Sequence, residues 1–153
     1  TLPTTRWRQI VCPKGFYCTD GVKYPCPAGR YGDTTGLYTD QCSGLCHPGY
    51  FCPLHSVNKT QVECGHVGVY CPIGSSEPTP VPEGYYTTGG MEMVVGQREN
   101  TTRTWFEVCE PGHYCTGGIK RQCPARVWGN EVGESSPGCS GICPAGYFCP
   151  PYT

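Results

Sequence analysis

Cys12-Pro13-Lys14-Gly15-Phe16-Tyr17-Cys18 returns as Cys109-Glu110-Pro111-Gly112-His113-Tyr114-Cys115, and the cysteine pattern around it returns with it. Cys12, Cys18, Cys26, Cys42, Cys46 and Cys52 map onto Cys109, Cys115, Cys123, Cys139, Cys143 and Cys149, each 97 positions on, without insertion or deletion. Upstream, Thr4-Thr5-Arg6 matches Thr101-Thr102-Arg103. A fixed offset of this length marks a repeat. Residues 1–97 form one complete cysteine-rich unit and 98–153 a partial second copy.

A smaller module recurs inside the unit: Cys, two or three residues, Gly, at most one residue, then an aromatic. It reads Cys12-Pro-Lys-Gly-Phe-Tyr17, Cys26-Pro-Ala-Gly-Arg-Tyr31, Cys46-His-Pro-Gly-Tyr50 and Cys64-Gly-His-Val-Gly-Val-Tyr70. The second copy has Cys109-Glu-Pro-Gly-His-Tyr114, Cys123-Pro-Ala-Arg-Val-Trp128 and Cys143-Pro-Ala-Gly-Tyr147. Pro presets a tight turn, Gly supplies a positive φ, and the aromatic covers a disulfide. Arg126 stands where the turn has glycine, which is at odds with the usual turn geometry.

Fourteen cysteines in 153 residues is the composition of a disulfide scaffold. Eleven tyrosines stand against four leucines, so half-buried rings replace an aliphatic interior. With 22 Gly and 16 Pro, much of the backbone is committed to turns. Burial alone does not offset chain entropy here, so cross-links must restrict the unfolded state. Such cross-links persist in an oxidising compartment, and the expected location is extracellular, secreted or at the cell surface. The net charge is -1 and no basic run exceeds two residues, which argues against a nucleic-acid partner. No apolar run reaches membrane-span length, so no direct membrane insertion is expected. No signal peptide opens the chain, and a longer precursor is expected to contain it.

Val81-Pro-Glu-Gly-Tyr-Tyr86 has the form of the Cys26 module with Val81 in the cysteine's place. Cys26 is followed sixteen residues on by Cys42, and the matching position after Val81 is Gln97. Both cysteines are missing together, so Cys26 is expected to bond Cys42 and Cys123 to bond Cys139. Closing a loop of about 17 residues contributes about 3 kcal/mol in the chain-entropy model. Two schemes remain for the others. Local pairing joins Cys12 to Cys18, Cys46 to Cys52 and Cys64 to Cys71; the alternative crosses Cys46 to Cys64 and Cys52 to Cys71.

Residues 72–108 lack cysteine. Ser75-Ser-Glu-Pro-Thr-Pro-Val-Pro82 reads as an extended polyproline-like strut. Met93-Val-Val95 and Thr104-Trp-Phe-Glu-Val108 are β-prone and predict a hairpin around residues 96–102. This segment is expected to carry most of the unit's small apolar cluster. Sustained helical periodicity is absent. The fold class is therefore small, disulfide-rich, mostly β and turns: an elongated tandem array of cysteine-rich modules without a large hydrophobic core.

The motifs Cys26-Pro-Ala-Gly-Arg-Tyr-Gly32, Cys42-Ser-Gly-Leu-Cys46 and Gly49-Tyr-Phe-Cys-Pro53 resemble ephrin-receptor-like cysteine-rich modules. Those are similar in turn to tumour-necrosis-factor-receptor-like and EGF-like repeats, and long arrays of this texture look like those of protist and algal surface glycoproteins. The resemblance implies a ladder of small β modules, rod-like, extracellular and without catalytic activity.

Candidate sites are few. Asn58-Lys-Thr60 and Asn100-Thr-Thr102 are sequons, so Asn58 and Asn100 are candidate glycan acceptors. Thr79, between Pro78 and Pro80, is a candidate for O-linked sugar. Zinc could be imagined on Cys42, Cys46 and His47, or with His66 near Cys64 and Cys71. The second copy has Pro144 for His47, and thiols in an oxidising compartment pair with one another, so no metal is expected. Asp20, Asp33 and Asp40 become Gly117, Asn130 and Pro137, which leaves no repeated calcium cage. His47, His55, His66 and His113 lack a nucleophile-and-orienter pattern. No enzyme activity and no cofactor are expected. Arg6/Arg103 and Lys23/Lys120 keep their charge in both copies, as an ion pair, a stem on an aromatic face, or a contact repeated between units.

The sequence supports two functions. One is a structural repeat in a glycoprotein fibre, sheath or flagellar-hair-like appendage, with further copies of the repeat as partners. The other is a spacer or ligand-binding part of a receptor-like or adhesive ectodomain.

Overall fold

The computed structural model describes residues 8–89, 101–151 and 153. Each module opens with a four-residue turn. In the Cys12 module the Phe16 N–H donates to the Pro13 carbonyl at 3.3 Å, with Gly15 at φ 80°. Equivalent bonds close Pro27 to Arg30, His47 to Tyr50, Pro82 to Tyr85, Glu110 to His113 and Pro144 to Tyr147, at 3.1–3.3 Å. Arg126 takes φ 78° where Gly29 takes 87°. The expectation that arginine would alter this turn is corrected: the backbone stays left-handed, at a cost of about 1–2 kcal/mol.

After each of these turns except the one at Pro144–Tyr147, the chain enters a strand and returns antiparallel. The pairs are β1 (Phe16–Thr19) with β2 (Val22–Pro25), β3 (Arg30–Tyr31) with β4 (Gly44–Leu45), and β5 (Tyr50–Phe51) with β6 (Val62–Glu63). Next come β7 (Val69–Tyr70) with β8 (Thr79–Pro80), and β9 (Tyr85–Thr88) with β10 (Trp105–Val108). The last are β11 (His113–Thr116) with β12 (Ile119–Gln122), and β13 (Val127–Trp128) with β14 (Gly141–Ile142). The described residues contain no helix. The β1–β2 connection is Asp20-Gly21, with φ 50° and 75°, the positive-φ pair that lets a two-residue hairpin follow strand twist.

Two expectations change here. Trp105–Val108 pairs with Tyr85–Thr88, Trp105 opposite Thr88 and Val108 opposite Tyr85. The expected partner Met93-Val94-Val95 lies outside the described residues. The turn at Gly84 is what launches the first strand, so Tyr85–Thr88 takes the place that β1 and β11 hold in their modules. Nor is Ser75–Pro82 a free strut: Ser75 N–H bonds back to the Pro72 carbonyl at 3.2 Å, and Thr79–Pro80 is β8, paired with Val69–Tyr70.

The modules are joined by a backbone ladder. The carbonyl of the turn's third residue accepts from the N–H that opens the next module. Gly15 accepts from Cys26 (2.9 Å), Gly29 from Cys46 (2.9 Å), Gly49 from Cys64 (3.0 Å) and Gly68 from Val81 (3.0 Å). Gly84 accepts from Cys109 (2.9 Å), Gly112 from Cys123 (2.9 Å) and Arg126 from Cys143 (2.8 Å). Because only backbone is used, Val81 holds its rung without a thiol. Among the described residues, backbone bonds between modules join nearest neighbours only. Packing reaches one module further, since a Cβ on Gly29 would lie 2.6 Å from the Gly74 carbonyl. The bonds also recur at the cysteine offset: Gly15 to Gly32 matches Gly112 to Gly129, and Gly36 to Cys12 matches Gly133 to Cys109.

All fourteen cysteines are paired. The bonds are Cys12–Cys18, Cys26–Cys42, Cys46–Cys52, Cys64–Cys71, Cys109–Cys115, Cys123–Cys139 and Cys143–Cys149, which is the local scheme. Sulfur is also the core. The buried apolar residues among those described are Cys12, Cys26, Cys46, Cys52, Cys64, Cys71, Cys109, Cys115 and Cys123. Elsewhere rings supply the packing, above all where a disulfide is lacking. Phe106 lies 4.7 Å from Tyr70 and 5.4 Å from Tyr85 and Trp105, centroid to centroid.

Candidate functional site

Chemistry-bearing side chains gather where the Val81 module meets the Cys109 module. The β9–β10 register sets Tyr86 opposite Glu107. The Tyr86 hydroxyl lies 2.9 Å from Glu107 Oε2 and 3.1 Å from Glu110 Oε1, the second contact crossing the seam. Lys120 Nζ reaches back to Glu110 Oε2 at 2.9 Å and lies 4.7 Å from the centre of the Tyr86 ring. Beside it Thr87 is buried; its N–H donates to the Gly118 carbonyl at 3.1 Å and its hydroxyl to the Val67 carbonyl at 2.7 Å. Thr87 thus ties three successive modules.

The electrostatics follow from these contacts. Burial first, then its bonds to Glu107 and Glu110, pushes the Tyr86 hydroxyl well above its ordinary range. The hydrogen bond from Lys120 first, then that from Tyr86, holds the Glu110 carboxyl below its ordinary range. A neutral phenol, an ionised carboxylate and an ammonium form a clamp.

The second candidate is the Asn58 loop between β5 and β6. Asn58 is exposed, and its Oδ1 accepts from the Thr60 N–H at 3.2 Å and the Thr60 hydroxyl at 3.1 Å. The Asn58 N–H donates to Gln61 Oε1 at 3.2 Å, and the Lys59 carbonyl accepts from His47 N–H at 2.9 Å. The Asx turn closes the sequon on itself, and its middle residue Lys59 ties the loop to His47, next to the Cys46–Cys52 staple. Asn100 lies outside the described residues.

The remaining candidates are spread along the array. His47 Nδ1 is 2.9 Å from the Pro48 carbonyl, His55 meets Phe16 edge-on at 4.9 Å, and His66 Nδ1 accepts from Gly68 N–H at 3.0 Å. His113 Nδ1 is 3.3 Å from the Pro111 carbonyl. Cys42 is bonded to Cys26 and Cys46 to Cys52, so neither is a thiolate beside His47. Among the described residues no three His, Cys, Asp or Glu gather as metal ligands. Lys23 lies 4.7 Å over Phe16, so both shared lysines cover a ring; Arg103 is buried at 7 % exposure, and Arg6 lies outside the described residues. Sequence reasoning missed Tyr86, Glu107 and Glu110. The available signal was a difference between copies, since Ile10 and Pro13 stand where Glu107 and Glu110 do.

No family model matches the chain, and no solved structure matches it. Over 126 residues it is 28% identical to white-brown complex homolog protein 30 of Arabidopsis thaliana. That alignment covers 80% of this chain but 10% of that protein, so the chain spans about a tenth of its relative's length.

Proposed function

We propose that this chain is a non-enzymatic, extracellular structural repeat, a glycosylated rod segment whose partners are further copies of the same unit. The observation that carries this reading is the ladder: among the described residues, backbone bonds between modules reach only the next module. A chain so bonded grows in length with each unit, and equivalent surfaces recur along it. The disulfides need an oxidising compartment, which secretion supplies. Asn58 is the accessible glycan acceptor, and Asn100 is the second sequon.

Small-angle scattering on the secreted chain and on its tandem duplicate tests the reading. A rod roughly doubles its longest dimension on duplication. Compact packing would raise the radius of gyration by only about a third, and that result would remove the proposal. Glycosidase treatment should shift the mass of the secreted protein, and Asn58→Gln should remove part of that shift.

A second reading is supported by the lengths in the comparison. A stretch equal to a tenth of a much longer relative suits a spacer within a larger surface protein. A distal binding domain in the full reading frame would favour the spacer over the fibre.

A further inference from the structure

Cys42 and Cys139 differ from the other cysteines in combining two properties. Both take a left-handed backbone, φ 49° and 45°, and no other described cysteine has a positive φ. A left-handed φ strains any residue that carries a Cβ. Both are also half-buried, whereas their partners Cys26 and Cys123 are fully buried. The interior staples Cys46–Cys52, Cys64–Cys71 and Cys109–Cys115 are buried at both residues. Cys18, Cys143 and Cys149 are half-buried too, but without a positive φ. Neither property belongs to a chain end: Cys42 has the later modules after it, Cys139 the earlier ones before it, and the two agree.

The same turn holds this backbone in both copies, with Cys42 N–H on the Thr39 carbonyl and Cys139 N–H on the Ser136 carbonyl, each at 3.0 Å. The loop that each bond closes clasps the preceding module. Gly36 N–H donates to the Cys12 carbonyl and Cys18 N–H to the Leu37 carbonyl, both at 2.8 Å. Gly133 to Cys109 and Cys115 to Glu134 repeat the pair at 2.8 Å. Cys42 and Cys139 fasten the far end of each clasp to its own module. The Val81 module keeps its rung to Gly68 and its Pro82–Tyr85 turn with no such bond, so rung and turn do not depend on it.

We propose that Cys42 and Cys139 are thiol–disulfide exchange sites that take up a low-molecular-weight thiol as a mixed disulfide. The small thiolate attacks the half-buried sulfur of Cys42 or Cys139 and forms the new S–S bond there. The buried sulfur of Cys26 or Cys123 leaves with the electron pair of the old bond and takes a proton from water. A second small thiol can then displace the first. The protein thereby gains two electrons and two protons, and the two small thiols leave joined as their own disulfide. Attack on the other sulfur is hindered: a Cβ on Gly32 would lie 2.9 Å from Cys26 Sγ, and one on Gly129 3.0 Å from Cys123 Sγ. Because the array stays folded during exchange, the entropy of closing the long loop is not released. Backbone strain and access then set which bond opens first. Exchange unfastens the clasp between adjoining modules, whether the array serves as fibre or as spacer.

The test exposes the oxidised full chain to a concentration series of reduced glutathione, quenches with N-ethylmaleimide and maps every cysteine by mass spectrometry. Glutathione is expected on Cys42 and Cys139, with maleimide on Cys26 and Cys123. These adducts should form about tenfold faster than any on the three interior staples. Amide protection at Gly36 and Gly133 should fall in the adduct, read by hydrogen exchange. Glutathione appearing first on an interior staple, or on Cys26 and Cys123, would overturn the proposal. Loss of all seven bonds together would show exchange through global unfolding and would overturn it as well. Equal rates at Cys18, Cys143 and Cys149 would mean that exposure alone decides, which removes the part assigned to the left-handed backbone. Unchanged protection at Gly36 and Gly133 would remove the clasp.

Discussion

The Cys26 module and the Val81 module hold the same turn, strand and ladder rung by different means. In the first, Cys26 is fully buried and bonded to Cys42, and the strands β3 and β4 are two residues each. In the second, Val81 keeps only the backbone bond to Gly68, and the strands β9 and β10 are four residues each. Phe106 and its ring neighbours, buried Thr87 and the Tyr86–Glu110–Lys120 clamp do there what sulfur does elsewhere. The backbone pattern is thus primary, and covalent or aromatic closure is interchangeable upon it. Disulfide closure restricts the unfolded chain; aromatic closure acts on the folded one.

The largest break in this comparison should come from sulfur. Replacing Cys26 and Cys42 together by serine should lower stability by about 3 kcal/mol, read from denaturant midpoints under oxidising conditions. Phe106→Ala should cost somewhat less, about 2 kcal/mol because the ring is only half-buried, and should change Trp105 fluorescence.

A turn glycine gives a sharper internal contrast. Gly29→Ala puts a Cβ 2.6 Å from the Gly74 carbonyl at φ 87°, whereas at Gly21 nothing lies within 4 Å at φ 75°. Gly21→Ala should cost about 1 kcal/mol from φ alone, and Gly29→Ala clearly more. Equal losses would mean that the loop two modules on is not seated against the turn.

The smallest effect belongs to the clamp. Lys120→Ala should let the Glu110 carboxyl titrate closer to its ordinary 4.5, measured by NMR. Because the folded carboxyl is depressed, its contribution is present above that ordinary value and is lost as pH falls through the lower folded one. Tyr86 runs the opposite way: its hydroxyl is raised, so its contribution holds below the ordinary 10.0 and fades only as pH rises past the folded value.

Much of this architecture was legible in sequence because cysteine spacing and turn residues act locally. The paired loss at Val81 and Gln97 identified Cys26–Cys42, and the Cys-to-Gly spacing placed the turns. The partner of Trp105–Val108 was not legible. Met93-Val-Val95 is as β-prone as Tyr85–Thr88, and only the turn at Gly84, which launches a strand as the turns at Gly15 and Gly112 do, separates them. Asp20-Gly21 and Gly117-Gly118 were readable hairpin signals that went unused. Arg126 misled because steric preference forbids less than a ladder of backbone bonds can enforce. The clamp at Tyr86 was hidden for another reason: it depends on two modules meeting, and neither carboxylate recurs in the first copy.

The central claim is that the modules form a series bonded to near neighbours without a shared core. Native-state hydrogen exchange on the oxidised Cys26→Ser, Cys42→Ser chain tests it most directly. The account predicts lost protection in the Cys12, Cys26, Cys46 and Cys64 modules, with Cys115, Cys123 and Cys143 amides exchanging as in the parent chain. Uniform loss of protection from Cys12 to Cys149 would show one cooperative core and contradict it.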